Sequence, residues 1–433
     1  MNMKRVCVIG LGYIGLPTAA CLASVGHNVV GVDLSRRILD ALAAGHATID
    51  EPDLARLVAD GVASGHLVGS EHAVPADVFI IAVPTPIRGL ARKGADLSYV
   101  RAAARSIAAV LRPGNLVVLE STSPPSTTTK VVAPILEGES GLLAGKDFLL
   151  AHCPERVLPG QILHELVNND RVVGGIDPAS TEAARAFYAT FVAGAILLTD
   201  ATTAELVKLM ENTFRDVNIA LANEFALVAE KLGVDVWEAI EAANHHPRVN
   251  YLRPGPGVGG HCIAVDPWFI VGAAPEITPL IVASRTVNDI MPLHVVDLIA
   301  ETLGGGVTGR RIVVLGATYK ANVEDTRESP AAEVATLLRE EGADVRVHDA
   351  MVQSDTSVED LADQAEYLVL LVDHTAYRQL DPEAIGRRMH RRNVLDTRNF
   401  LVAESWRQAG FRVVRLGDGR SLVVEARVGE PPG

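Results

Sequence analysis

The chain has 433 residues, 48% hydrophobic but only 4% aromatic, so its cores have to be built from Ala, Val, Leu and Ile. A soft prior of one domain per ~150 residues gives about three domains. The formal net charge of -14 argues against sequence-independent binding to DNA or RNA, while local arginines and helix N-termini can still hold an anionic small molecule.

The opening "MNMKRVCVIG" runs directly into a strand without a long apolar segment, so a cytoplasmic protein is expected rather than a secreted one. Gly, Pro or charge breaks every apolar stretch before it could span a bilayer, and no membrane partner is expected. "RVCVIG", "NVVGVD", "VFIIAVP", "NLVVLEST", "FLLAHCP" and "DRVVGG" read as strands, with "LPTAACLASVG" as a helix between the first two. Such near-continuous apolar strands separated by helices predict a parallel sheet covered on both faces. From Thr202 the period becomes helical: "TTAELVKLMENTFRDVNIALANEFALVAEKLG" has no Pro or Gly before Gly233, and "DVWEAIEAAN" and "PLIVASRTVNDIMPLHVVDLIAETLGG" continue as helix. The last third returns to strands at "RRIVVLGATYK", "DVRVHD", "YLVLLVD", "RNVLD" and "FRVVRLG", with a helix at "SPAAEVATLLREEG" and a disordered tail at "VGEPPG". The predicted class is α/β: two Rossmann-like parallel-sheet domains, 1–198 and 306–433, joined by a central helical domain, 199–305, with a long connecting helix.

"GLGYIG", Gly10 to Gly15 and including Tyr13 and Ile14, matches G-x-G-x-x-G after a strand and before a helix, and Asp33 ends the next strand 18 residues after Gly15. Gly10 permits the turn, Gly12 admits a pyrophosphate, Gly15 lets helix and strand pack closely, and Asp33 accepts from ribose hydroxyls while repelling a 2'-phosphate. This predicts NAD rather than NADP, with Arg36 and Arg37 as the features that point the other way. Thr85, between Pro84 and Pro86, and Ser121 and Thr122 end strands on the nicotinamide side. The second α/β region opens with "GATYK" instead, and is expected to bind something other than a dinucleotide.

Lys208, Asn212 and Arg215, at i, i+4 and i+7, share one face of the long helix, with Glu211 and Asp216 pointing elsewhere. Glu155 and Arg156 follow a strand, where open sheets place ligands, and Cys153 is assigned to packing. "PGPGVGGHC", residues 254–262, is a shaped loop of Pro254, Gly255, Pro256, Gly257 and Gly259 that delivers Gly260, His261 and Cys262. Asp266 lies four residues beyond, and Lys320 ends a strand. His245, His246 and Arg248 precede the loop without a third ligand at metal spacing, and the four cysteines (Cys7, Cys21, Cys153, Cys262) lack such spacing too, so no metal is expected. Reduced thiols leave Cys262 available for chemistry.

"GLGYIGLP", "CPERVLPG", "ELVKLMENTFRDVNIALANE", "PGPGVGGHCIAVDPWF" and "GATYKANVEDTRESP" together resemble the UDP-glucose/GDP-mannose 6-dehydrogenase family across nearly the whole chain. "CPERVLPG" and "NHHPRVNYLRPGPGVGGHCIAVDPW" are most similar to its UDP-N-acetylmannosamine branch. The UDP-glucose branch has Phe or Tyr inside the Gly loop and Pro after the Cys dipeptide, where this chain has Val258 and Ala264. The resemblance implies four-electron oxidation of a sugar C6 alcohol with two NAD+. In it, Lys208, directly or through a water held with Asp266, takes the alcohol proton, Cys262 captures the aldehyde, Asn212 and Lys208 stabilise the oxyanion, and Glu155 or Asp266 activates the hydrolytic water.

It also implies that Arg156, Val157, Arg215, His246, Arg248, Gly259 and Lys320 contact the nucleotide sugar. Arg327 is implied to reach a cofactor phosphate, and the helical domain to form a homodimer. One departure is visible: Pro125–Ser126 stands where the family has Gly after the Pro, which bears on Thr122 nearby. Three readings stay open: a 6-dehydrogenase that takes UDP-N-acetylmannosamine to its uronate, a 6-dehydrogenase of another nucleotide sugar (UDP-glucose, UDP-N-acetylglucosamine or a GDP-sugar), and a non-catalytic NAD- and nucleotide-sugar-binding regulator. A two-electron hydroxy-acid dehydrogenase would have no use for Cys262.

Overall fold

The computed structural model describes residues 3–87, 94–158, 160–260, 262–352 and 356–423, so the tail "VGEPPG" and His261 lie outside the described residues. The chain divides into two compact units, 1–211 with 268–277, and 212–267 with 278–433.

The first unit holds an eight-stranded sheet: β1 (Arg5–Ile9), β2 (Asn28–Val32), β3 (Leu67–Ser70), β4 (Val78–Ile81), β5 (Leu116–Leu119), β6 (Leu149–His152), β7 (Arg171–Gly175) and β8 (Ile196–Asp200), in the order β3-β2-β1-β4-β5-β6-β7-β8. All pairs are parallel except β6 with β7, where Ala151 faces Gly175. Side chains alternate sides along a strand, and both sides of β1 are apolar: Val6 and Val8 enter one core, Cys7 and Ile9 the other. That two-sided burial is why the central strands read as continuous apolar runs. The edge strands β3 and β8 escape the sequence reading because neither is buried on both sides; the consecutive Leu197 and Leu198 of β8 point to opposite sides and are both exposed.

The second unit holds a five-stranded, all-parallel sheet: β9 (Arg311–Leu315), β10 (Asp344–His348), β11 (Tyr367–Leu370), β12 (Asn393–Asp396) and β13 (Arg412–Arg415), ordered β10-β9-β11-β12-β13. Helices Val236–Asn244 and Pro279–Thr302 belong to it. The Trp237 indole donates to Leu416 O at 2.8 Å, and Arg415 pairs with Asp235 at 2.6 Å, fastening the first of these helices to β13. The long helix, Ala201–Leu232, carries the chain from one unit into the other. Among the described residues no helix is long and apolar enough to cross a membrane.

In both sheets strand order reverses beside the first strand, between β1 and β4 and between β9 and β11. Crevices outside the C-terminal ends of such strands are where open α/β sheets take ligands.

Candidate active site

At the end of β1, Gly10 turns with φ +94° and donates its N–H to Val32 O at 2.8 Å. A Cβ there would lie 2.6 Å from Ala82 O, and one at Gly15 would overlap Gly10 O, so both positions admit only glycine. Gly12 differs: among the described residues, no atom beyond its chain neighbours lies within 4 Å of where its Cβ would be. Helix Gly15–Ser24 begins here without a side-chain cap, so its amide dipoles face that open side of the turn, which suits a phosphate. Tyr13 is partly exposed and Ile14 half-buried at the same turn.

Asp33 accepts from Leu11 N–H at 2.9 Å and from Ser35 N–H at 2.8 Å, one bond to each oxygen, so it is aimed across the turn with lone pairs to spare for ribose hydroxyls. Arg36 is engaged by Glu71 at 2.5 Å rather than left for a 2'-phosphate, while Arg37 is exposed. The loops after β4 and β5 are locked to each other: the Thr85 hydroxyl donates to Thr122 O at 2.7 Å, and Ser121 Oγ bridges Val83 N–H at 2.9 Å and Val83 O at 2.8 Å. Close by, Ser126 is held at φ +72°, the left-handed region that a glycine would occupy at no cost. Its N–H donates to the buried Glu205, which also binds Thr128 through N–H at 2.7 Å and hydroxyl at 2.6 Å. Burial pushes the Glu205 carboxyl up to about 7, against these donors. The residues present fit NAD.

The same unit places Glu155 and Lys208 within electrostatic reach. Glu155 is buried, which raises its proton affinity, and Arg171, the backbone amides of Val157 and Arg156, and Lys208 oppose that. Lys208 is half-buried on the long helix. Arg156 is committed to Glu211 in a two-pronged pair, at 2.5 and 2.9 Å, with a further bond to Asp170 O; Val157 is half-buried beside it. Cys153 is fully buried, as its assignment to packing requires.

In the second unit Asn212, one turn beyond Lys208, is buried and donates to Asp266 at 2.5 Å. Cys262 and Asp266 are joined by a tight turn in which Cys262 O accepts from Val265 N–H at 3.1 Å and Asp266 N–H at 2.8 Å, opening helix Asp266–Ala273. Cys262 is exposed, unlike the three core cysteines. The glycines before it are seated on distant chain: a Cβ at Gly259 would overlap Glu328 O and stand 2.5 Å from Pro330, and one at Gly260 would press the Tyr319 ring at 2.8 Å. Cys262 and Tyr319 are electrostatic neighbours.

Beside this loop, at the switch point of the second sheet, a cleft is lined by Gly257, Tyr319, Lys320, Asp373 and Arg398. Lys320 thus lies beside the loop that carries Gly259 and Cys262. Arg215 is exposed rather than buried with Asn212. His246 and Arg248 form an exposed pair 3.5 Å apart, and exposed Arg327 is engaged by Asp325 at 2.7 and 2.9 Å.

Four supporting residues were missed. Asn223 accepts from Gly255 N–H at 2.9 Å and donates to Asn288, which donates to Asp216, which takes an ion pair from Arg285 at 2.6 Å. This buried chain holds the loop from beneath. The available signal was spacing, Asp216 to Asn223 at i+7 and Arg285 to Asn288 at i+3, polar stripes on helix faces that are otherwise buried.

Three family models match in order. The UDP-glucose/GDP-mannose dehydrogenase family NAD binding domain covers residues 4–192, its central domain 202–290, and its UDP binding domain 313–403. A UDP-N-acetyl-D-mannosamine dehydrogenase of Methanocaldococcus jannaschii is 48% identical over 96% of this chain and 97% of its own. An NDP-N-acetyl-D-galactosaminuronic acid dehydrogenase of Ralstonia nicotianae is 46% identical over 93% and 98%. The solved structure of a UDP-D-ManNAc dehydrogenase from Pyrococcus horikoshii superposes with a TM-score of 0.90 at 42% identity, covering 96% of this chain and all of that one. With its NAD turn, its exposed loop cysteine and its second, UDP-type sheet in family order, the chain belongs to the UDP-glucose/GDP-mannose dehydrogenase family and is an NAD-dependent nucleotide-sugar dehydrogenase.

Proposed function

We propose that this enzyme oxidises the C6 alcohol of UDP-N-acetylmannosamine to the carboxylate, in two successive two-electron steps that use two NAD+. The observation that carries the reading is the placement of Cys262: an exposed thiol at the end of a loop that the fold anchors at Asn223, Tyr319 and Pro330, beside the cleft that holds Lys320. An alcohol dehydrogenase that stops at the aldehyde needs no such group. NAD would be held by the Gly10–Gly15 turn, Asp33, Thr85 and Thr122, with Arg327 as a further phosphate-binding residue, and would supply the hydride acceptor for each step.

In the first step Lys208, acting directly or through a water held with Asp266, removes the hydroxyl proton as hydride leaves C6. The Cys262 thiolate then adds to the aldehyde carbon, giving a thiohemiacetal with a hydride to donate, and loss of that hydride gives a thioester. Lys208 and Asn212 stabilise the oxyanion, with Asn212 held by its bond to Asp266. Water activated by Glu155 or Asp266 cleaves the thioester, releasing the carboxylate and regenerating the thiol. Arg156, Val157, Arg215, His246, Arg248, Gly259 and Lys320 hold the nucleotide sugar.

A thiolate mechanism suits a reducing compartment, hence the cytoplasm. A homodimer through residues 199–305 is supported by an exposed apolar stripe on the long helix, Phe214, Leu221, Phe225, Val228 and Leu232, at i, i+7, i+11, i+14 and i+18.

The substrate is tested by NADH yield with limiting sugar nucleotide. The expected outcome is two NADH per UDP-N-acetylmannosamine and little turnover of UDP-glucose. Turnover of UDP-glucose alone would keep the chemistry and overturn the substrate.

A further inference from the structure

Within electrostatic reach of Glu155 lies a buried charged cluster that the mechanism above does not use. Glu120 follows β5, Arg171 opens β7, and Tyr188 ends helix Pro178–Tyr188. The Arg171 guanidinium lies 4.0 Å from Glu120 and 3.8 Å from Cys153 Sγ, donates to Leu166 O, and rests over the rings of Tyr188 and Phe191 at 5.2 and 5.7 Å. Tyr188 O–H donates to Glu120 Oε1 at 2.6 Å. The second Glu120 oxygen and Glu155 Oε1 are both buried without a hydrogen-bond partner among the described residues.

One buried guanidinium therefore lies 4.0 Å from Glu120, 3.8 Å from Sγ of Cys153, two residues before Glu155, and within electrostatic reach of Glu155 itself, and neither carboxyl group is fully hydrogen-bonded. For stability alone this is a poor arrangement, since buried charges with open lone pairs cost more than an apolar replacement would. Such clusters concentrate where a reaction needs them.

We propose that Arg171 and Glu120 are positioning residues for Glu155: the guanidinium, fixed by Glu120 and Tyr188, is the buried counter-charge of the Glu155 carboxylate, and Glu120 competes for it. The inference rests on Glu155 being the group that activates the hydrolytic water.

The charged and titratable groups around Glu155 are Arg171 from β7, Lys208 from the long helix and Glu120 after β5. Cys153 and His152 at the end of β6 are neutral: burial pushes the thiol up to about 11 and the imidazole down to about 3. Arg156 is occupied by Glu211. Burial raises the proton affinity of Glu155 and Arg171 opposes it. Removing the guanidinium leaves burial less opposed, so Glu155 keeps its proton to higher pH. Removing the Glu120 charge leaves the guanidinium undivided, so Glu155 loses its proton at lower pH.

The test is the rate of thioester hydrolysis as a function of pH, by rapid quench, for the full-length enzyme with saturating NAD+ and UDP-N-acetylmannosamine. Glu155→Gln is expected to abolish the acid limb; if the limb survives, the role of Glu155 fails and this inference with it. Once the limb is shown to be that of Glu155, Glu120→Gln is expected to move it down by about one pH unit, Arg171→Met to move it up by a similar amount, and Arg171→Lys to keep it near wild type. If Glu120→Gln lowers the rate equally at every pH, or both variants shift the limb the same way, the cluster is structural and the inference is overturned while Glu155 keeps its role. Should Arg171→Met not fold, Glu120→Gln and Arg171→Lys decide alone.

Discussion

The two glycine-rich segments, 10–15 and 254–260, do different work with the same residue. At 10–15 the constraints are local to one βαβ unit: Gly15 is pressed by Gly10, and Gly10 by the end of β4. At 254–260 they come from far along the chain, Gly255 meeting Arg398, Gly259 meeting Glu328 and Pro330, and Gly260 meeting Tyr319. The first segment shapes a phosphate site by itself. The second is a seat for Cys262 whose shape exists only once β9, β12 and the helix that begins at Pro330 are in place. A cofactor turn can thus be read from a short string, whereas a nucleophile loop reads only as irregular.

The strongest break of that contrast is Gly15→Ala. Its Cβ meets backbone that cannot move aside, so NAD affinity should fall on the order of 100-fold, about 3 kcal/mol, with a lowered melting temperature. Gly12→Ala should weaken NAD binding with the melting temperature unchanged, because no described residue beyond its chain neighbours lies near that Cβ. Titration of NADH fluorescence beside a thermal melt separates the two. Equal melting losses would mean that Gly12 is structural.

Gly259→Ala should do the opposite of Gly12→Ala. By shifting the Cys262 loop off Glu328 and Pro330 it should lower kcat by about 100-fold while NAD affinity stays at the wild-type value. A parallel loss of NAD binding would show that the two glycine segments are not independent.

The smallest effect is expected at Ser126→Gly. Relief of the left-handed conformation returns about 1 kcal/mol, partly offset by the greater freedom of Gly in the unfolded chain, so the melting temperature should rise by about 2 °C. A fall would mean that the Ser126 side chain contributes more than its backbone angle costs.

What was legible follows the same division. The central strands announced themselves through two-sided burial, and β3 and β8 did not because each is an edge strand with exposed residues on both sides. The Gly10–Asp33 fingerprint was legible because its parts are adjacent in sequence and bonded to each other, Asp33 to Leu11. On the long helix, spacing grouped Lys208, Asn212 and Arg215, yet Arg215 is exposed, while Asp216, read as facing elsewhere, is buried beneath the Cys262 loop. Periodicity fixes angles around a helix axis but not which side is covered. Likewise the engagement of Arg156 by Glu211, 55 residues away, has no local signal. Ser126, expected by resemblance to stand where a glycine would, takes the positive φ that a glycine adopts freely.

The central claim is that Cys262 carries the second oxidation. Its most direct test is the NADH released per sugar nucleotide by Cys262→Ser against wild type, followed to completion. The account predicts two from wild type and no more than one from the variant, with aldehyde remaining. Two NADH at the wild-type rate from Cys262→Ser would contradict it and reduce the cysteine to a packing residue.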